Sequence, residues 1–493
     1  MSPIRVSDHY NLGVSQGSLD FLDVPIDGDV KLFIDPGTLR TMQGDWFVRA
    51  HDKVHEYFQF LIELLRSGDL DGARLLLATQ KEPSETHLGF CESGTRGVNL
   101  GHVLATDVLD GLSRSQAIQT GLLKDLEETA LMVPNISSDR ISDITTNIIR
   151  DLLIEYTKSQ CDLHGIPLVD GIASGPLWND TTREWSESVV SMPRLPGSGK
   201  LLLVPRSIIR SRLNLEIGEY YRDFIFAHLC LIEEQNPASS LVKLLKNGKR
   251  KVMKKELQER YPKSKQVIQD ISLQNPELLR QYRDKKTDHP QPPLSHEQLS
   301  DLIGTPLPDW DALMTRVRST PSGSAHATEF HRAASCLLSC LFCPSLANLR
   351  IEAEIHSGRK RIDILFDNVA QSPSEFELEN NIFVTLRISH HFPIVFVECK
   401  NYSADVSNPE LDQLAGRFGA RRGSFGLLIC SKIENKELFM ARCLDTARDG
   451  RGYIVPLDVD DLQILVDSKR HSIAEHRAAY RLIEDRFHQL RVD

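Results

Sequence analysis

The 493-residue sequence contains no run of about 18 consecutive apolar residues, which excludes an ordinary membrane-spanning helix. Its opening, "MSPIRVSDHYNLG", lacks a basic stretch followed by an apolar one, so no secretory leader is expected. Internal repeats and low-complexity tracts are missing, which argues against a solenoid or a disordered tether. Positive charge is not in excess: the formal net charge is −10, so any nucleic-acid contact must come from local basic patches. Cysteine is too unevenly placed for a disulfide framework. The nine thiols are odd in number and sit in apolar contexts such as "AHLCLI" and "LLICS", which suits reduced thiols and a cytoplasmic setting.

What remains is a globular composition, 41% apolar and 26% charged, long enough for roughly two to four domains. The N-terminal region, residues 1–290, reads as mostly α with some β, divisible into 1–210 and 211–285. Its expected elements are a strand at "DVKLFIDPG" and helices from Phe47 and from Ala73. One capped amphipathic helix is expected through "SSDRISDITTNIIRDLLIEYTKSQ", with Ser142 or Asp143 as cap. "SGKLLLVPRS" reads as a strand, and Glu216 to Arg283 as mostly helical. Three prolines in the polar stretch 283–298 predict a linker. Residues 299–493 then read as an α/β unit. A helix spans about His326–Phe342, and strands follow at Arg350–His356, Arg361–Phe366 and "PIVFVECK". After them come a helix over Pro409–Phe418, strands at "SFGLLICS" and "GYIVPL", and a helix from Asp460.

The chemistry concentrates at the end of the strand "PIVFVECK". Residues two apart in a strand share a face, so Glu398 and Lys400 project together and Cys399 faces away. Asp363, in "RIDILF", lies on one face of an earlier strand. If the two strands are neighbours, Asp363 and Glu398 converge, and a hard divalent cation resolves the repulsion of two carboxylates. The main-chain carbonyl of Cys399 offers a further oxygen. A metal there would polarise a phosphodiester, and Lys400 would orient or deprotonate a water or offset transition-state charge.

"GRKRIDILF" followed by "VFVECKNYS" resembles the PD-(D/E)xK nuclease superfamily, closest to its restriction-endonuclease-like, Mrr-type branch, over roughly residues 320–470. The resemblance implies a mixed central sheet flanked by helices, with Mg²⁺ (or Mn²⁺) on Asp363 and Glu398 and Lys400 as the catalytic lysine. It also implies that Glu329, in "HATEFHRAA", completes the site from the first core helix, and that Gln413, in "PELDQLAGRF", serves from the helix after the lysine. The sequence departs from the pattern in three ways: Ile362 replaces proline, Arg417 stands where some relatives have tyrosine, and 34 residues separate Asp363 from Glu398. That separation implies an inserted hairpin or loop around "NVAQSPSEFELENNIF". The activity implied is Mg²⁺-dependent endonucleolytic cleavage of DNA, in prokaryotic restriction or antiphage defence. The N-terminal region would then serve as a recognition, sensing or assembly module for an oligomer or a partner protein. The alternatives are a nuclease for RNA or branched DNA, and a non-catalytic nucleic-acid-binding or sensor protein on the same scaffold.

Ten Lys and Arg residues between Lys243 and Lys265 form the main basic run. Lys249, Arg250, Lys251, Lys254 and Lys255 within it, with Arg417, Arg421 and Arg422 nearer the strand end, are the candidate phosphate contacts. Other motifs carry less. Cys336, Cys340 and Cys343 fall in a helical leucine stripe and read as small apolar residues. His51 and His55 lack a third ligand and the glutamate of a zinc protease. Gly197-Ser198-Gly199-Lys200 lacks the first glycine and the Ser/Thr of a phosphate loop.

Overall fold

Phe425–Cys430 is a run of six residues, all of them buried, which a sheet strand can satisfy only with both faces covered. In the computed structural model this strand lies inside a five-stranded mixed sheet. The structure describes residues 3–89, 100–246, 249–355, 360–371, 381–403, 408–470 and 476–491. The C-terminal unit begins with helix α1 (Ala327–Leu341), followed by strands β1 (Leu346–Ile355) and β2 (Lys360–Asn368). Helix α2 (Ile382–Ile388), strand β3 (Ile394–Lys400), helix α3 (Asn408–Ala415) and strand β4 (Phe425–Cys430) come next. Helix α4 (Lys436–Arg448), strand β5 (Tyr453–Asp458) and helices α5 (Val459–Arg470) and α6 (His476–Gln489) complete it.

The sheet order is β5-β4-β3-β2-β1. β2 runs antiparallel to both β1 and β3, whereas β3, β4 and β5 run parallel and are joined by the crossover helices α3 and α4. Parallel neighbours require such crossovers, which is why a helix stands between each pair of strands in this half. The stripe Phe330, Ala334, Leu337 and Leu341 on α1 is buried in the same apolar cluster as the strands.

The N-terminal region has its own apolar core, built on the long helix Asp45–Ser67, which buries Phe47, Ala50, Val54, Phe58, Leu61 and Leu65 at helical spacing. A two-stranded pairing of Phe33–Ile34 with Ile209–Arg210 closes the region. This core continues through Leu294 and Leu299 and takes in Ala347 of β1 and Val369 just past β2, while the second begins at Met314. The two are joined by buried polar contacts. Asp20 accepts from the Tyr156 hydroxyl and from the Asn348 amide of β1, each at 2.8 Å. Arg206 donates to the Ser339 carbonyl of α1 at 2.9 Å.

Several sequence expectations are corrected. The stretch expected as one helix is two, Ser138–Ile148 and Arg150–His164, hinged at Ile149 and capped by Ser137 rather than Ser142 or Asp143. "KLLLV" is no strand: Leu201 to Val204 are buried, and their backbone groups bond singly to Pro193, Glu85, Thr157 and Leu22. The basic run is a hairpin, Val242–Leu244 with Arg250–Val252, leading into the short helix Lys254–Arg260. α4 was not expected. Of the insertion before Glu398, residues 381–388 cap and form α2, residues 368–371 are described and residues 372–380 lie outside the described residues.

Candidate active site

The centre sits where β2 and β3 part. Their pairing runs from Asp367↔Ile394 to Ile364↔Val397 and ends there. β2 goes on pairing with β1 as far as Lys360↔Ile355, and β3 with β4 as far as Lys400↔Cys430. A gap therefore opens beside Asp363 and Cys399. The N–H and C=O of one strand residue project to the same edge, and those of Cys399 face this gap, because the Lys400 carbonyl takes the Ser431 amide on the β4 side. Side chains take over what a strand would supply. The Cys399 amide donates to Asp363 Oδ2 at 2.9 Å, and His331 Nε2 of α1 lies 3.1 Å from the Cys399 carbonyl. The same His331 nitrogen is 3.7 Å from Asp363 Oδ2. Asn401 fixes the segment that leads into α1: its side-chain amide donates to the Pro321 carbonyl at 2.8 Å, and its main-chain carbonyl accepts from the Gly323 amide at 2.8 Å.

Glu398 is fully buried. Lys400 Nζ donates to its Oε1 at 2.9 Å and to Gln413 Oε1 of α3 at 3.1 Å. Arg417, just past α3, brings Nη2 to 3.4 Å from Glu398 Oε2, yet Oε2 accepts no hydrogen bond. Burial, and next the Asp363 carboxylate, push the Glu398 carboxyl above its ordinary range. Burial works to lower the Lys400 ammonium, but the charge and hydrogen bond of Glu398 outweigh it and the net shift is upward. The Cys399 thiol is raised well above its usual value by burial, and then by the two carboxylates, so it is inert.

Asp363, Glu398, Lys400 and Gln413 are thus brought together. Glu329 is not: its side chain is 61% exposed and faces His326 at 3.5 Å. Among the described residues no group of three or more His, Cys, Asp or Glu side chains is disposed to hold a metal. Arg417 is buried against Glu398 and is not a surface phosphate contact. Arg421 is exposed and Arg422 half-buried. Lys249, Lys251, Lys254 and Lys255 are exposed on the hairpin and the helix after it, whereas Arg250 turns back to the Asn236 carbonyl.

His331 and the buried role of Arg417 were missed by sequence reasoning. The apolar stripe centred on Phe330 leaves Glu329 and His331 roughly 100° to either side of it. Only packing against β3 selects the His331 margin.

A family model described as a domain of unknown function (DUF8370) matches residues 11–216, a stretch that excludes this centre. No curated protein and no solved structure matches the chain.

Proposed function

We propose that the C-terminal unit is a metal-dependent phosphodiesterase of the PD-(D/E)xK type that cuts nucleic acid, with DNA as its substrate. The observation that carries this reading is the meeting of Asp363, Glu398 and Lys400 where β2 and β3 part, with Gln413 holding the lysine. Asp363 and Glu398 supply hard oxygen donors, and Glu398 Oε2 is a buried oxygen without a hydrogen bond, the kind of atom a cation would satisfy. Mg²⁺ or Mn²⁺ held by these carboxylates would polarise the phosphodiester and acidify a water. The Cys399 carbonyl, which His331 Nε2 meets at 3.1 Å, would offer them its second lone pair.

Lys400 donates to both Glu398 and Gln413, which holds its ammonium at the strand end, where it would stabilise developing negative charge. Gln413 fixes its direction. Asp363 is held by the Cys399 amide, which orients the carboxylate without neutralising it. The exposed lysines of the hairpin and of the helix after it would track phosphates, and the N-terminal region would recognise or sense.

A second reading is favoured by one observation. Glu398 alone faces two cations, Lys400 and Arg417, so with Asp363 beside it the formal charges already balance without a metal. A nuclease-like scaffold that binds without cutting would look the same. Plasmid incubated with Mg²⁺ and the wild-type chain, beside Asp363→Ala and Lys400→Ala, separates the two. The enzymatic reading expects nicking or linearisation by wild type and a loss of at least about a hundredfold in each variant. Equal cleavage in all three would refute it. Binding of DNA by wild type and variants alike, without cleavage, would support the scaffold.

A further inference from the structure

Far along the chain from the strand-end centre, the N-terminal region holds a cleft of about 650 Å³, inside the roughly 300–1,000 Å³ range of small-ligand sites. Three cations from three separate elements line it: Arg140, Arg212 and Lys265. Arg140 stands in the first turn of the helix Ser138–Ile148, and Lys265 is the first residue of the helix Lys265–Gln274. The partial positive charge of a helix start disfavours a cation there; Asp139 in the same first turn offsets it for Arg140, whereas the first turn of Lys265–Gln274 carries no acid. The two acids that line the cleft, Asp107 and Glu216, face the two arginines and leave the lysine. Asp107 lies 3.8 Å from Arg140 and Glu216 3.1 Å from Arg212. Lys265 has no carboxylate partner among the described residues: its ammonium donates to the Val133 and Ile136 carbonyls, each at 2.7 Å. Burial pushes that ammonium down to about 8, the mark of a charge short of compensation. The other wall is apolar, formed by the buried Ile136, Leu213 and Leu215.

We propose that this cleft binds a small phosphorylated ligand of the nucleoside monophosphate class. Its phosphate would lie among Lys265, Arg140 and Arg212, and its base or sugar would lie against Leu213 and Leu215. The helix start adds main-chain amides to the phosphate site, and an apolar wall beside it favours a ligand with a flat, poorly hydrated portion over a bare anion. Most of the lining falls within the stretch matched by the family model, residues 11–216, whereas Lys265 comes from beyond it. The site is independent of the proposed phosphodiesterase centre, and binding here does not require cleavage there.

Calorimetry on the full chain tests it, with adenosine monophosphate, guanosine monophosphate, adenosine and inorganic phosphate as probes. At least one monophosphate should saturate a single site in the micromolar range. Adenosine and inorganic phosphate should each bind at least about tenfold more weakly. Lys265→Met and Arg212→Gln should each weaken the monophosphate about tenfold, the worth of one charge-assisted contact. Lys265 also ties down the loop before the first helix, so its variant carries a risk of misfolding. The Arg212 side chain is 66% exposed, so Arg212→Gln reads the site without that risk. The proposal is overturned by absence of saturable binding up to millimolar monophosphate, or by unchanged affinity in Arg212→Gln. Inorganic phosphate binding as tightly as the nucleotides would also overturn it, as would displacement of the nucleotide by duplex DNA, which would give the cleft to a macromolecular backbone.

Discussion

Replacing Arg417 with methionine removes one of the two cations facing Glu398 and keeps an unbranched stem in its place. The carboxylate is fully buried, so the change leaves Oε2 with neither a charge partner nor a hydrogen bond. Removing one member of a buried pair costs about 3–5 kcal/mol. Two features of the centre reduce that figure. Lys400 stays 2.9 Å from Oε1, and the Glu398 carboxyl, held above its ordinary range, takes up a proton more readily than an exposed one. We therefore expect Arg417→Met to lose about 2 kcal/mol in urea unfolding with chelator present. A divalent cation on Asp363 and Glu398 would refill the vacated charge, and a ligand at a hundredfold excess over its Kd adds about 2.7 kcal/mol. Excess Mg²⁺ should thus stabilise the variant more than the wild type, where Arg417 competes for the same carboxylate. A variant as stable as wild type in chelator would refute the pairing. A Mg²⁺ gain no larger than that of wild type would refute the competition.

Three further outcomes follow from named contacts. Because the folded pKa of Glu398 lies above its ordinary 4.5, its protonation favours folding in acid, and that contribution is lost as pH rises through the folded value. Metal binding needs the carboxylate, so Mn²⁺ affinity measured by calorimetry should rise over that same window and then level off. Gly452→Ala should cost about 3 kcal/mol by thermal or urea unfolding, because the backbone there has φ +106° and a Cβ would press on the Phe418 ring beside Arg417 and meet the Ser424 carbonyl at 2.9 Å. Asp20→Ala should cost about 3 kcal/mol, since the Tyr156 hydroxyl and the Asn348 amide both lose a buried acceptor. As Asp20 bridges the two cores, the N-terminal and C-terminal units should both become easier to unfold.

The C-terminal unit was the most legible part of the chain. Contiguous apolar runs mark β3 and β4, because strands covered on both faces need nothing but apolar side chains. Elsewhere local pattern and tertiary demand diverge. Leu201 to Val204 has the composition of a strand, but its hydrogen-bond partners are scattered over four separate segments, so no ladder forms. The break at Ile149 carries no glycine or proline, so the helix "SDRISDITTNIIRDLLIEYTKSQ" reads as continuous although its backbone turns there. The face shared by Glu398 and Lys400 follows from period-two alternation alone. That Asp363 lies beside them depends on β2 being the neighbour of β3, which local sequence does not encode. Arg417 follows a short helix in the company of Arg421 and Arg422 and reads as a surface residue. Its burial answers a carboxylate nineteen positions away, a demand visible only once the strand end is folded.

Magnesium affinity measured by calorimetry on the wild-type chain and on Asp363→Asn tests the metal-site claim most directly. Asparagine keeps an oxygen for the Cys399 amide and removes only the charge, so the strand end should stay folded. A single Mg²⁺ site in the wild type, weakened about tenfold or more in the variant, is the predicted result. Equal affinity in the two proteins, or no binding to either, would contradict a metal centre at Asp363 and Glu398.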